Sequence, residues 1–176
     1  MNTKINKAIA IVTVALSLAV SSITYSQIEA SNKNASVNKA PNWTLETQDG
    51  KQVSFSDYEG QPVMLHIWGT WCPYCKKLQP GLQQIHENYK DRGLIVLGIS
   101  VNEPTTTKPQ TELESRGIDF LTLIEGDEVA INDFEVMGTP TTIFISADGN
   151  IVGSTMVSDP TDPRFTQVAE YLVNNI

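Results

Sequence analysis

Residues 43–47, Trp-Thr-Leu-Glu-Thr, alternate apolar and polar side chains, and after Asp49-Gly50 the alternation resumes through Lys51-Gln52-Val53-Ser54-Phe55. An Asp-Gly pair between two alternating runs predicts a β-hairpin. A polar connector at 56–60 leads to Val63-Met64-Leu65-His66-Ile67-Trp68, a continuous apolar run broken only by His66, which reads as a buried parallel strand. From Pro73 the period changes. Leu78, Leu82, Ile85 and Tyr89 recur at helical spacing until Asp91-Arg92-Gly93 stops the pattern, and Pro80 predicts a kink within it. Residues 94–101 repeat the buried-strand pattern, and the polar, proline-bearing stretch 102–110 reads as a loop before a short helix at 111–116. A third buried strand is expected at 120–124 and a short helix at 128–134. Residues 142–146, Asp148-Gly149 and residues 151–153 predict a second hairpin, and Phe165, Val168, Tyr171 and Leu172 a closing helix at 164–175. Strands that alternate with helices and end in a hairpin predict an α/β fold, a central mixed sheet flanked by helices with an N-terminal β-hairpin extension.

The first residues stand apart from this pattern. Lys4 and Lys7 precede an uncharged stretch, 8–28, whose apolar first half gives way to Ser21-Ser22. This is the layout of an export signal, with cleavage after Ser26 or after Ala30 both compatible. An uncleaved membrane anchor is the alternative, disfavoured by the Ser and Thr of the later half. No cysteine closes the apolar stretch, which argues against lipid anchoring. The expected organisation is a signal peptide at 1–26, a Ser-, Asn- and Lys-rich linker at 27–39 and one domain at 40–176. The chain carries 12 basic and 20 acidic residues, a net charge of −8, and a cleaved leader takes two of the lysines with it. An acidic surface disfavours nucleic acid and anionic lipid as partners.

The chain has two cysteines, Cys72 and Cys75, both at the junction of the predicted strand and helix in Trp68-Gly69-Thr70-Trp71-Cys72-Pro73-Tyr74-Cys75-Lys76-Lys77. A bridge across so small a loop removes little chain entropy, so structural stapling is a poor account of it. Cys72 falls at the N-cap and Pro73 at the first helical position, where a missing N–H has no consequence. Free amides and the dipole of the helix N-terminus stabilise a thiolate, and Lys76 and Lys77 add positive charge. Such settings bring a cysteine pKa from about 8.5 to between ~3.5 and ~7.5. Cys75, almost one turn into the helix, is expected to be more buried. Cys72 is therefore the attacking sulfur and Cys75 the resolving one, in a dithiol–disulfide cycle with no other cofactor. A zinc half-site is the rival reading, but zinc takes about four ligands and only His66 and His86 remain as nitrogen donors.

The Trp-Cys-x-x-Cys-Lys helix start, joined to Gly138-Thr139-Pro140-Thr141 directly ahead of a strand, resembles the thioredoxin superfamily, and more closely the exported TlpA/ResA-type thiol-disulfide oxidoreductases. The resemblance runs from about residue 40 to the end and includes the N-terminal hairpin, so it implies a thioredoxin-like fold. It implies a cis Thr139–Pro140 bond facing the cysteine pair, with the Thr139 backbone free to pair with an extended substrate strand. It implies also that Trp71, Pro73 and Tyr74, with Gly138, form the apolar surround of Cys72.

Three positions depart from the family. The turn after Cys75 reads Lys76-Lys77-Leu78-Gln79 where many relatives carry a carboxylate, His66 stands where Asp or Asn is usual, and the dipeptide is Pro73-Tyr74. His66 has two readings, a proton relay to Cys75 beneath the helix or a core histidine bonded to backbone or water. Burial disfavours a charged imidazole and so favours the second. His86 reads as a surface residue, and Trp43 and Trp68 as packing.

The function the resemblance implies is that of a periplasmic reductase of protein disulfides, monomeric, supplied with electrons by a membrane thiol carrier and membrane-bound only if the leader stays attached. Apocytochrome c, whose haem-attachment cysteines must be reduced, is a candidate substrate, which would place the protein in cytochrome c-type biogenesis. One alternative is oxidation of secreted proteins, favoured by a proline in the dipeptide. Another is a copper-binding or copper-delivery module, for which His66 and His86 are poorly placed.

Overall fold

The computed structural model describes residues 38–176, whose compact unit is Ala40–Ile176. The expected signal peptide and nearly all of the expected linker lie outside the described residues. Strands β1 (Thr44–Thr47) and β2 (Gln52–Ser54) form the expected hairpin, with Gly50 in the left-handed region at φ 85 in its turn. The expected buried strands are β3 (Val63–Trp68), β4 (Ile95–Ser100) and β5 (Thr122–Ile124), and the second hairpin is β6 (Thr141–Ile145) with β7 (Ile151–Thr155). All seven join one mixed sheet in the order β2-β1-β5-β4-β3-β6-β7. Strands β3, β4 and β5 run parallel, while β6 lies antiparallel to β3 and β1 antiparallel to β5. The N-terminal hairpin thus extends the sheet through its pairing of Glu46 with Ile124.

Every residue of β3 is buried, because both faces of the strand are covered. Val63, Leu65 and Ile67 pack on one side with Leu97, Ile99, Leu123, Ile143 and Ile145. Met64 and Trp68 pack on the other with Leu78, Leu82, Phe120, Phe144 and Phe165. Each such side chain contributes about 1.5–3 kcal/mol by leaving water. Trp68 is the largest fully buried side chain, and its indole N–H donates to the Thr122 hydroxyl at 2.9 Å. Gly98 of β4 makes this possible: a Cβ there would stand 2.6 Å from Thr122 Oγ1 and 3.1 Å from Trp68 Nε1.

Helix α1 (Pro73–Tyr89) buries Cys75, Leu78, Leu82, Ile85 and Tyr89 along one stripe, as its period predicts. It passes through Pro80 without a break. Pro80 is exposed. After Tyr89 a short turn ends on Gly93 at φ 90, the left-handed stop that the sequence signals. Helix α2 (Pro109–Ser115) starts two residues before its expected position, with proline at its first turn. The expected helix at 128–134 is a single wide turn, Val129–Asp133, closed by Phe134 N–H to Val129 O. Helix α3 (Pro163–Asn174) is capped by the Asp162 carboxylate, which accepts the Arg164 N–H at 2.9 Å. It packs Phe165, Ala169 and Leu172 into the α1 side of the core.

Candidate active site

The registers bring three chain segments to one end of the sheet. Trp68, last in β3, lies beside Ser100, last in β4, and Ile67 lies beside Thr141, first in β6. The loop leaving β3 and the Gly138–Pro140 segment entering β6 therefore meet at the same edge. The first of these presents the cysteines.

Cys72 is the N-cap of α1, and its Sγ accepts the Cys75 backbone N–H at 3.1 Å. A sulfur in that position satisfies one of the free amides at the helix start. The two sulfurs are bonded to each other, with Cα atoms 5.3 Å apart. Cys75 is fully enclosed and Cys72 nearly so. Their apolar surround is the open part: Trp71 is 50% exposed and Tyr74 63%. The Trp71 ring folds back over Gly69, where a Cβ would come within 2.4 Å of its Nε1, and that N–H donates to the Val101 carbonyl at 3.2 Å. Across from it the Thr139–Pro140 peptide is cis, Pro140 is buried, and Thr139 enters none of the loop hydrogen bonds among the described residues. Met137 and Met156 are both exposed there, and Met156 reaches to Gly138. The sequence did not mark these two methionines, which carry no periodic or motif signal.

The charges differ from expectation. Lys76 is engaged in an ion pair with Glu112 at 2.8 Å, so its ammonium is partly neutralised by α2. A carboxylate that the sequence did not mark stands at the site instead. Both oxygens of Glu103 accept from Thr70, one from the backbone N–H at 2.6 Å and one from the hydroxyl at 2.5 Å.

His66 alternates with Met64 and Trp68 on the α1 face and is fully buried. Neither ring nitrogen has a hydrogen-bond partner among the described residues, so the expected bond to backbone is not there. Burial holds the imidazole neutral, with its pKa down at about 3, and the Arg116 guanidinium pushes the same way. Gln79, four residues after Cys75 on the same face, is also fully buried and accepts a hydrogen bond from Arg116. His86, read from the sequence as a surface residue, is half-buried and faces Asp119 at 3.6 Å. Burial lowers its pKa, with Asp119 acting against that shift. Among the described residues no three His, Cys, Asp or Glu side chains gather as a metal site.

The AhpC/TSA family model matches residues 37–154. The thiol-disulfide oxidoreductase ResA of Bacillus subtilis (strain 168) is 32% identical over 113 residues, 64% of this chain and 63% of that protein. The match thus spans less than two thirds of that relative's own length. ResA of Bacillus thuringiensis (strain Al Hakam) is 29% identical over 143 residues, 81% of this chain and 82% of that protein. A solved thiol:disulfide interchange protein of the thioredoxin family from Chlorobium tepidum TLS superposes with a TM-score of 0.67 at 25% identity, over 77% of this chain and 96% of that one. The family match takes in the N-terminal hairpin, the cysteine loop, the Thr139–Pro140 turn and all but the last residue of the second hairpin, and the chain belongs to the AhpC/TSA family.

Proposed function

We propose that this protein is an exported thiol-disulfide oxidoreductase that reduces disulfides in proteins outside the cytoplasm. The observation that carries the reading is Cys72 at the helix N-terminus, its sulfur accepting an amide N–H, with Cys75 enclosed behind it. In the reduced protein the Cys72 thiolate attacks one sulfur of a substrate disulfide. A mixed disulfide forms and one substrate thiolate leaves. The Cys75 sulfur, having lost its proton, then attacks Cys72 Sγ, which closes the Cys72–Cys75 bond and releases the second substrate thiolate. Two electrons pass to the substrate, and a dithiol partner, a membrane thiol carrier, restores them.

Substrate docks as an extended segment against Thr139 and Pro140, with Trp71, Pro73 and Tyr74 covering the reacting sulfurs. His66 stays a neutral ring on the α1 face of β3, since burial opposes a charged imidazole there, and a role as proton relay to Cys75 would need a partner that neither ring nitrogen has among the described residues. The apolar leader supports export to the periplasm, the relatives named thiol-disulfide oxidoreductase ResA support dithiol–disulfide exchange, and reduction as the direction rests on the resemblance to the TlpA/ResA type. Apocytochrome c is the candidate substrate, and the protein acts as a monomer.

Cysteine trapping tests the scheme. Cys75→Ser should accumulate mixed disulfides with substrate or donor, and Cys72→Ser should accumulate none. Trapping by Cys72→Ser alone would reverse the two roles, and identification of the trapped proteins names the substrate. A reduction potential above about −150 mV would instead favour oxidation of secreted proteins.

A further inference from the structure

The loop that carries Cys72 is not held by its own strand and helix alone. It is pinned from the chain leaving β4. The Val101 N–H donates to the Trp68 carbonyl at 2.9 Å, the Val101 carbonyl accepts the Trp71 indole, and two residues later Glu103 spends both carboxylate oxygens on Thr70. Glu103 is itself held in place: Asn102, before it, takes a left-handed conformation at φ 52 and donates its N–H to Asp127 at 2.8 Å. Thr70 lies two residues from Cys72, and the turn between them is closed by the Cys72 N–H on the Gly69 carbonyl at 3.0 Å.

We propose that Glu103 is a positioning residue for Cys72, fixing the Gly69–Cys72 turn through Thr70 and holding a negative charge on that turn, two residues from the attacking sulfur. The inference rests on Cys72 being the attacking sulfur. The two halves of the role act in different ways. The paired hydrogen bonds hold one geometry of the turn, because charge-assisted bonds to an N–H and an O–H of one residue leave it little freedom. The charge destabilises a neighbouring thiolate, and a thiolate exists only in the reduced form. A charge that disfavours the reduced form makes the protein a stronger reductant, the opposite of the stabilised reduced form that makes DsbA an oxidant. The other charges nearest in sequence, Lys76 and Lys77, act in the opposite sense, and Lys76 is drawn to Glu112. Glu103 is therefore the group that biases this helix N-terminus toward electron donation.

The test compares Glu103→Gln and Glu103→Ala with the parent protein in two measurements that need no natural substrate. One is the equilibrium constant of the Cys72–Cys75 disulfide against glutathione. The other is the rate of reduced Cys72 with a small aromatic disulfide at a pH where the thiol is fully ionised. Glu103→Gln, which keeps an acceptor for Thr70, should move the equilibrium toward the dithiol by up to about tenfold, or about 30 mV, and leave the limiting rate within about twofold. Glu103→Ala should shift the equilibrium the same way and also lower the limiting rate at least about threefold, through loss of the turn. Glu59→Gln, which removes an exposed carboxylate ahead of β3 at the far end of the sheet, should change neither. If both Glu103 variants only lower the melting temperature, or shift the equilibrium toward the disulfide, the proposal is wrong. Failure of the reading this rests on, Cys72 as the attacking sulfur, would appear in the trapping experiment, whereas failure of the Glu103 role would appear here as variants that do not shift from the parent.

Discussion

Below neutral pH His66 should become a measurable weakness of the fold. The ring is fully buried among apolar side chains, neither nitrogen is bonded, and burial with Arg116 nearby takes its pKa from 6.5 to about 3. In the unfolded chain the same imidazole takes up a proton near its ordinary pKa. The unfolded state therefore binds more protons throughout the interval between the two values, and stability rises with pH there. The contribution is fully present above the unfolded value of 6.5 and is lost as pH falls toward about 3. Going from about pH 7 to about pH 5 costs about 2 kcal/mol from this one residue, at 1.36 kcal/mol per pKa unit. That figure barely depends on the folded value as long as it lies well below 5, because the unfolded ring dominates the difference.

His66→Leu removes the titration and keeps a similar volume. Urea unfolding of both proteins in the disulfide form, followed by far-UV circular dichroism at the two pH values, gives the difference directly. Carboxylates and His86 are common to both proteins and cancel. The parent should lose about 2 kcal/mol more than His66→Leu on acidification. Parallel losses would mean that the native ring accepts a proton, and His66 would then have to reach water or a carboxylate that the buried α1 layer does not supply.

Two glycine substitutions test the packing that frames the site. Gly98→Ala should lower stability by about 2–4 kcal/mol in urea unfolding, because the new methyl enters the space where Trp68 and Thr122 meet and breaks their hydrogen bond; a loss below about 1 kcal/mol would show that this contact relaxes easily. Gly81→Ala on α1 should cost at least about 2 kcal/mol despite the better helix propensity of alanine, since its Cβ would stand 2.3 Å from the Pro160 carbonyl oxygen, a backbone atom; an unchanged or raised melting temperature would rule out that close approach.

What was legible in the chain was what local pattern encodes. The apolar run of β3 matches Val63–Trp68 residue for residue, because a strand buried on both faces leaves no polar position to blur its ends. The start of α1 was equally clear, since Cys72 and Pro73 are a cap and a first-turn residue whatever lies elsewhere. The cis Thr139–Pro140 bond followed from resemblance, and no periodicity would have suggested it. Pro80 does not interrupt α1, which runs on from Pro73 to Tyr89, so the proline marks an exposed position within the helix and not its end. The pairing of β1 with β5 was hidden for a different reason, as it joins segments far apart in sequence through only two residue pairs.

The same division runs through the site. Cys72 as the cap of a helix that begins at Pro73 is a local fact, readable from ten consecutive residues. Glu103 sits in a stretch of prolines, threonines and charges that reads only as a loop, and nothing there announces that its carboxylate closes on Thr70, 33 positions earlier. Lys76 shows the converse: its position promises a positive charge for the cysteines, and a partner on another helix takes much of it up. A cysteine motif thus says which atoms react. The sign and size of the field around them are set by long-range contacts, and two proteins with this motif can differ in direction of electron flow through residues such as Glu103 that no motif includes.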